Sequence, residues 1–261
     1  MTIHRAKKSL GQNFLKSDMM LGKIIEAGEI SSDDVILEIG PGKGTLTEKL
    51  LERAGKVIAV EKDRELFELL KTKFEKEIKS GSLVLLNEDI LKFNTKPYLA
   101  TESPSYKIIA NIPYNITGAI LKKFLTEKNQ PSRMVLMVQH EVARRIVARD
   151  GKESILSISV KAYGQPKLIA KVPARYFSPA PKVGSAIIDI RDISREIFEN
   201  NTEREKKFWK LVKTGFAHKR KKISGNLKNI IPTEKLTELG LSDQRAEDLP
   251  ISDWLALSEM L

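Results

Sequence analysis

Apolar segments of four to six residues alternate with longer amphipathic segments through the first two thirds of the chain. The apolar segments predict buried strands at 35–39, 57–61, 83–87, 107–110 and 133–138. The amphipathic segments predict helices at 45–53, 63–79, 117–126 and 141–149. This alternation is typical of an α/β fold with a doubly wound parallel sheet. Two later apolar segments, 168–172 and 185–190, predict strands that complete the sheet.

The last third of the chain has a different pattern, which is helical throughout. Asn201 precedes an amphipathic segment, and Pro232 and Pro250 separate the shorter segments that follow. We therefore predict an α/β domain with a basic N-terminal arm over residues 1–193. We predict a small all-α domain over residues 194–261.

One predicted strand ends in a sequence that suits a planar amine. After Ile108 and Ile109 the chain continues Asn111-Ile112-Pro113-Tyr114, with Ala110 between. The Asn amide oxygen and the following carbonyl offer two acceptors, the proline stiffens the backbone, and the tyrosine ring can stack on a base. Taken alone, the same residues also fit an ordinary turn after a strand.

A glycine-rich turn follows the first predicted strand and contains Gly40, Gly42 and Gly44. Glycines at such a turn let the backbone approach a ligand closely. The dinucleotide fingerprint would place its third glycine at position 45, but that residue is Thr45. The turn therefore favours a nucleoside ligand other than a nicotinamide dinucleotide.

Polar residues mark the carboxyl ends of neighbouring predicted strands, at Glu38, Glu61, Asp89 and Asn111. In an open α/β sheet, ligands bind at these strand ends. Glu61 is placed to accept both ribose hydroxyls of a nucleoside, and Asp89 to accept an adenine amine. A single acid at a strand end is usually just solvated, but several in register favour a nucleoside site.

The chain resembles one protein family in six segments. The glycine turn with its strand, 38–47, and the Asn-Ile-Pro-Tyr segment, 111–114, mark the cofactor class and amine methylation. The other segments are 11–15, 139–148, 177–183 and 216–228. Together they resemble the ribosomal RNA adenine dimethyltransferases, most of all the KsgA group. The chain departs from the family pattern at Ser154–Ile155, where the family often has Tyr-Gly.

This resemblance implies a Rossmann-like methyltransferase that uses S-adenosylmethionine. It implies N6,N6-dimethylation of two adjacent adenines near the 3′ end of small-subunit (16S) rRNA during ribosome biogenesis. It implies a cofactor site formed by Asn13, Leu15, Gly40, Gly42, Gly44, Glu61, Lys62, Asp89, Ile90 and Asn111. It implies catalytic residues Asn111, Ile112, Pro113, Tyr114 and Phe177, the last as a second ring opposite Tyr114 around a flipped adenine.

The charge distribution adds a polyanionic partner to this picture. The formal net charge is +11, and the stretch 206–228 holds nine Lys or Arg and no Asp or Glu. The first sixteen residues are also basic without an acid. Each cluster alone could be a solvated face, but two clusters on either side of an amine pocket favour RNA backbone binding. The predicted RNA-binding residues are Lys7, Lys8, Lys219, Arg220, Lys221 and Lys222.

The remaining composition excludes several classes of protein. The chain has no cysteine, and His4, His140 and His218 are dispersed, so we expect neither disulfides nor a metal site. It has no apolar run of about 20 residues and no apolar signal core at the N-terminus. We expect a cytoplasmic monomer whose partner is small-subunit rRNA within a pre-ribosomal particle.

Three other functions fit parts of the pattern. A resistance-type methyltransferase for large-subunit rRNA would share the pocket and differ in its RNA-docking surface. A non-catalytic RNA-binding or assembly factor would keep the fold, although the intact glycine turn and amine pocket argue against it. A small-molecule or protein methyltransferase is disfavoured by the two basic clusters.

Overall fold

The structure, a computed structural model, describes residues 6–7, 10–99 and 106–261. Its strands are Phe14–Leu15 (β1), Val35–Ile39 (β2), Lys56–Val60 (β3), Leu83–Leu86 (β4), Lys107–Asn111 (β5), Arg133–Gln139 (β6), Gln165–Val172 (β7), Phe177–Ser178 (β8) and Ser185–Arg191 (β9). Its α-helices are Asp18–Gly28 (α1), Thr45–Leu51 (α2), Arg64–Lys73 (α3), Glu75–Ser80 (α4), Thr117–Thr126 (α5), His140–Ile146 (α6), Ile155–Lys161 (α7), Thr202–Gly215 (α8), Ile223–Leu227 (α9), Thr233–Glu238 (α10) and Ile251–Ser258 (α11).

Within these described residues, seven strands form the main sheet, in the order β4-β3-β2-β5-β6-β9-β7. The first five strands in this order are parallel, and β9 runs antiparallel to both of its neighbours. The order reverses between β2 and β5, and ligands of open α/β sheets bind at the carboxyl ends of strands beside such a reversal. The predicted fold class is confirmed.

The central strands are apolar on both faces because helices cover the sheet on both sides. Strand β2 buries Leu37 and strand β5 buries Ile109, each with no exposed surface. Helix α1, which the sequence analysis did not predict, packs closely here. A Cβ on Gly28 at its end would lie only 2.6 Å from the Ile109 side chain. The close packing fixes the strands whose ends carry the candidate site.

The chain divides into two compact units. The first comprises residues 1–143 and 165–193, and the second comprises 144–164 and 194–261. The structure thus divides the chain near residue 193 but groups 144–164 with the helical unit, whereas the predicted α/β domain included that segment. Tyr163, which lies just after helix α7, packs its side chain against Phe198 and Trp209 of the second unit.

The second unit has its own aromatic core. Tyr163 donates from its hydroxyl to Glu205, and the Trp209 indole Nε1 donates to the Tyr163 oxygen at 3.0 Å. Trp254 of α11 is fully buried. Ser154, where the chain departs from the family pattern, begins helix α7 with reciprocal hydrogen bonds to Ser157. Ser154 therefore caps the N-terminus of this helix.

No helix in the described part of the chain has the length and apolar character needed to span a membrane. Across the same described ranges, no group of three or more His, Asp or Glu side chains is placed to hold a metal ion.

Candidate cofactor and base-binding site

A cavity of about 180 Å³ opens where strands β2, β3, β4 and β5 end, in the first unit. It brings together most of the predicted site residues. The cavity wall includes Asn13, Leu15, Gly40, Gly42, Glu61, Lys62, Asp89, Ile90, Asn111, Ile112, Pro113 and Tyr114. Of the residues predicted to bind the cofactor or the target base, Gly44 and Phe177 are not part of this wall.

Two glycines of the turn after β2 pack against different aromatic rings. At Gly42 a Cβ would lie 3.0 Å from the ring of Phe14, so glycine lets this ring pack against the turn. At Gly44, which precedes helix α2 with φ 77°, a Cβ would lie 2.5 Å from the ring of Phe74. Glycine at this position, which was predicted as a cofactor residue, permits the left-handed backbone and the close packing against α3 and Phe74.

Glu61 is a buried carboxylate at the end of β3, with 6% of its surface exposed. Its Oε2 accepts from the Gly42 backbone N–H at 3.0 Å, and its Oε1 accepts from the Asp63 N–H at 2.8 Å. Burial raises the pKa of Glu61 above its usual value. Each oxygen keeps a second lone pair, so the carboxylate is fixed in place and can still accept from a ligand.

Glu38, one strand away, lies on the cavity wall and is 2% exposed. Burial raises the pKa of Glu38 to about 8, although the Thr47 hydroxyl donates to its Oε2 at 2.6 Å. The charge on Glu61 raises the pKa further. Glu38 therefore holds a proton for much of the time near neutral pH.

The carboxylate of Asp89 is fixed at the cavity wall beyond β4. Lys62 pairs with its Oδ2 at 2.9 Å, and the Leu91 backbone N–H donates to its Oδ1 at 3.0 Å. The hydrogen bond from Lys62 holds the pKa of Asp89 below its usual value. Asp89 is therefore ionised at neutral pH. Lys62, predicted as a cofactor residue, contributes by orienting this carboxylate.

The Asn111 amide is oriented by the backbone of the N-terminal segment. Its Nδ2 donates to the Asn13 carbonyl oxygen at 3.1 Å. A carbonyl oxygen can only accept, so the atom facing it must be the amide nitrogen. The amide oxygen of Asn111 is thereby left as the acceptor at the end of β5. Ile112, which follows, is 2% exposed and lines the same wall.

Tyr114 is anchored through its hydroxyl, which forms a hydrogen bond with Ser185 on strand β9. Ser185 is 1% exposed, and burial raises the pKa of Tyr114, so the phenol stays neutral. The sequence analysis did not identify Ser185. Nothing local to its strand indicates the contact, because the two residues are 71 positions apart.

Phe177 lies in the hydrophobic core with 2% of its surface exposed. It pairs with Leu15 in the two-stranded sheet formed by β1 and β8. The structure thus places this residue, which was predicted as the second ring of the base pocket, among core side chains. Its burial is set by the apolar side chains around it, which come from distant parts of the chain.

The N-terminal segment forms ion pairs and a hydrogen bond with residues at the start of helix α3. The Lys7 ammonium pairs with Asp63 at 2.8 Å and with Glu65 at 3.0 Å. Gln12 donates from Nε2 to Asp63 Oδ2 at 2.8 Å. Lys7, predicted to bind RNA, is thus engaged in protein ion pairs. Lys8 was predicted with it and lies outside the described residues.

The second unit exposes the basic residues 219–222. Lys222 pairs with Asp243 at 2.7 Å. The structure assigns no ion pair to Lys219, Arg220 or Lys221 within the described residues. The predicted cluster therefore contains one cation with an acidic neighbour and three that point to solvent.

The sequence as a whole is similar to a known family and to named relatives. Residues 3–261 match the family model described as ribosomal RNA adenine dimethylase. Ribosomal RNA small subunit methyltransferase A of Dehalococcoides mccartyi (strain CBDB1) is 41% identical, over 97% of this chain and 87% of the relative. The protein of the same name from Fusobacterium nucleatum is 38% identical, over 96% of both chains.

Solved structures agree with this similarity over almost the whole chain. A dimethyladenosine transferase from Plasmodium falciparum superposes with a TM-score of 0.79 at 28% identity, covering 94% of this chain and 95% of the other. The 23S rRNA methyltransferase ErmE superposes with a TM-score of 0.77 at 27% identity, covering 95% of this chain and 99% of the other. The cavity, the anchored Asn111-Ile112-Pro113-Tyr114 segment and these similarities together show that the chain belongs to the ribosomal RNA adenine dimethylase family.

Proposed function

We propose that this protein transfers methyl groups from S-adenosylmethionine to the N6 amines of two adjacent adenines near the 3′ end of small-subunit (16S) rRNA. The product is N6,N6-dimethyladenine, made during ribosome biogenesis. The observation that supports it most strongly is the arrangement of Asn111. Its amide is fixed by the Asn13 carbonyl on the wall of a cavity that also contains the buried acceptor Glu61.

The chemistry of the cavity wall fits S-adenosylmethionine, which supplies an activated methyl group when bound. Glu61 would hold the ribose hydroxyls, because its oxygens are fixed by backbone donors and keep free lone pairs. Asp89 and Ile90 would hold the adenine ring through a carboxylate and an apolar contact. The turn at Gly40 and Gly42 would let the backbone lie close to the ligand.

The residues at the end of β5 would prepare the target amine. An adenine amine is a weak nucleophile, since its lone pair is delocalised into the ring. The Asn111 oxygen and the Ile112 carbonyl would accept its two hydrogens and favour a pyramidal nitrogen whose lone pair faces the methyl group. The Tyr114 ring, held through Ser185, would stack on the base. Catalysis then comes mainly from orientation and electrostatics.

No general base is required in this scheme. An amide such as that of Asn111 does not accept a proton at neutral pH, and the amine becomes acidic only after the methyl group has been transferred. Its proton can then leave to water. The target adenine must reach the cavity as an unpaired or flipped base.

The basic residues of the second unit would bind the RNA backbone. Phosphate binding releases counterions, so removing one cation that binds a phosphate lowers the log–log dependence of affinity on salt by roughly 0.7 to 0.9. Replacing Lys219, Arg220 and Lys221 by Glu should flatten this dependence. Lys222→Glu alone should flatten it least, because Lys222 is already paired with Asp243. An unchanged slope in the triple variant would show that the cluster is only a solvated face.

The product assay decides between this function and its nearest alternative. The fold similarity to ErmE favours large-subunit rRNA as the second candidate substrate. The protein is incubated with cofactor and either unmethylated small subunits or large-subunit RNA, and the nucleosides are then quantified by mass spectrometry. We expect dimethyladenine on two neighbouring small-subunit adenines, with four molecules of cofactor used per RNA. A product that is only monomethylated, or found only on large-subunit RNA, would overturn the proposal.

The setting of the reaction is also part of the proposal. We place it in the cytoplasm, on a pre-ribosomal particle, with the protein acting as a monomer and without a metal ion. The basic character of the chain and its small-subunit relatives support the RNA partner. Sedimentation of the protein alone and with small subunits tests the monomer and the particle together.

A further inference from the structure

The segment 10–15 contacts residues that follow two different strands of the sheet, Asp63 after β3 and Asn111 at the end of β5. All six of its residues line the cavity. Through the Asn13 carbonyl it holds the Asn111 amide at 3.1 Å. Through Gln12 it contacts Asp63, with Nε2 to Oδ2 at 2.8 Å. The segment is therefore fixed on one side by Asp63 and contacts the end of β5 on the other.

Asp63 is a firm attachment point for this segment. Its side chain is fully buried, and its Oδ1 accepts from the Glu65 backbone N–H at 3.0 Å, which caps helix α3. Its own backbone N–H donates to Glu61 Oε1 at 2.8 Å. The same residue thus contacts the ribose acceptor Glu61, the start of a helix and the N-terminal segment. Its position is set by all three.

Gln12 uses both ends of its amide. Its Nε2 donates to Asp63, and its Oε1 accepts from the Lys7 backbone N–H at 2.7 Å. A side chain with both groups engaged is held in a single orientation. The backbone of the next residue, Asn13, is held with it.

We infer that Gln12 and Asp63 are positioning residues, which hold the segment 10–15 so that the Asn13 carbonyl keeps the Asn111 amide oxygen directed at the target amine. This inference rests on the proposed function, because that function gives Asn111 its role. Without a fixed acceptor, the Asn111 amide can rotate and present its NH₂ group to the amine. Two donors then face each other, and the amine loses an acceptor that favours the reactive geometry.

The two residues can be tested by exchanging their hydrogen-bonding roles. Gln12→Glu alone places two carboxylates together, and Asp63→Asn alone places two NH₂ groups together. The double variant Gln12→Glu/Asp63→Asn restores one donor and one acceptor with the same net charge. The introduced carboxylate at position 12 still accepts from the Lys7 backbone N–H, and the introduced amide at position 63 still caps helix α3.

Each single variant should lower kcat on unmethylated small subunits by about tenfold or more, with KM for the particle within about threefold. Hydrogen exchange of the backbone amides in 10–15 should become faster in both. The double variant should recover both measurements to within about threefold of the unmodified protein. Glu65→Gln is the matched control, because it weakens an exposed ion pair to Lys7 and leaves the hydrogen bond between Gln12 and Asp63 in place, so it should change kcat by less than about twofold.

Two results would overturn the inference: single variants that match the unmodified protein, or a double variant no better than the worse single one. The exchange measurement needs no activity. If the unmodified protein makes no dimethyladenine, the proposed function fails, while faster exchange in the single variants and its reversal in the double variant would still support the link between Gln12 and Asp63.

Discussion

Glu38 should make the stability of the α/β unit depend on pH in a direction opposite to that of an ordinary paired carboxylate. Its pKa is about 8 in the folded protein, against 4.5 for an unperturbed glutamate. Below pH 4.5 the group is neutral in both folded and unfolded protein. Above that pH the unfolded chain loses the proton while the folded protein keeps it, so stability falls until the pH reaches about 8. The loss amounts to roughly 3 kcal/mol at pH 7, from 1.36 kcal/mol per pH unit.

The variant Glu38→Gln removes this titration and keeps the shape of the side chain, including an acceptor for the Thr47 hydroxyl. The difference in unfolding free energy, variant minus unmodified protein, should therefore rise by roughly 3 kcal/mol between pH 5 and 7.5. The assay is urea unfolding at constant ionic strength, followed by circular dichroism. Tryptophan fluorescence would not report on this unit, since Trp209 and Trp254 both lie in the other one.

Asp89→Asn is the matched control for this experiment. The pKa of Asp89 is below its usual value, so this group is ionised in both states above about pH 5 and its removal should add no slope in the same range. A flat difference for Glu38→Gln from pH 5 to 7.5 would refute the reasoning and show that Glu38 is ionised in the folded protein. Because S-adenosylmethionine is cationic, its binding beside Glu38 should also release a proton near pH 7. Calorimetry in buffers of different ionisation enthalpy measures that release.

Four further single substitutions and one double variant test the site directly. Glu61→Gln turns one acceptor into a donor that faces a backbone N–H and removes the charge, so the affinity for S-adenosylmethionine should fall by about 10- to 150-fold in calorimetry; an unchanged Kd would remove Glu61 from the site. Asn111→Ala should leave that affinity within about threefold while kcat falls by about a hundredfold or more, and an equal loss of both would make the residue structural. Ser185→Ala and Tyr114→Phe each remove the hydrogen bond between the half-buried Tyr114 hydroxyl and the buried Ser185 hydroxyl, at about 1–3 kcal/mol of stability, and the double variant should cost less than the sum in urea unfolding; additive costs would mean that the two hydroxyls do not interact.

Most of the α/β architecture follows from the pattern of apolar residues. The five parallel strands lie within one residue of their predicted bounds, because a strand buried on both faces gives an uninterrupted apolar run. The predicted helix 63–79 is divided at Phe74 into helices α3 and α4. Helix α1 was not predicted, and neither were β1 and β8, which are only two residues long and show no period.

The sequence by itself determined the family, the fold class and the strand ends at which the candidate site lies. These are local properties, since the motif residues directly follow their strands and the carboxyl ends of parallel strands meet at one edge of the sheet. The resemblance carried by those motifs is confirmed by the family model and by relatives at about 40% identity.

Only the tertiary structure decided which atoms hold the site residues in place. Asn111 is oriented by Asn13, and Tyr114 by Ser185, across separations of 98 and 71 residues. Such partners cannot be recognised from the local sequence, because only the fold brings them within hydrogen-bonding distance. The burial of Phe177 in the core has the same origin. A side chain's exposure is set by everything that packs around it, and that includes residues from distant parts of the chain.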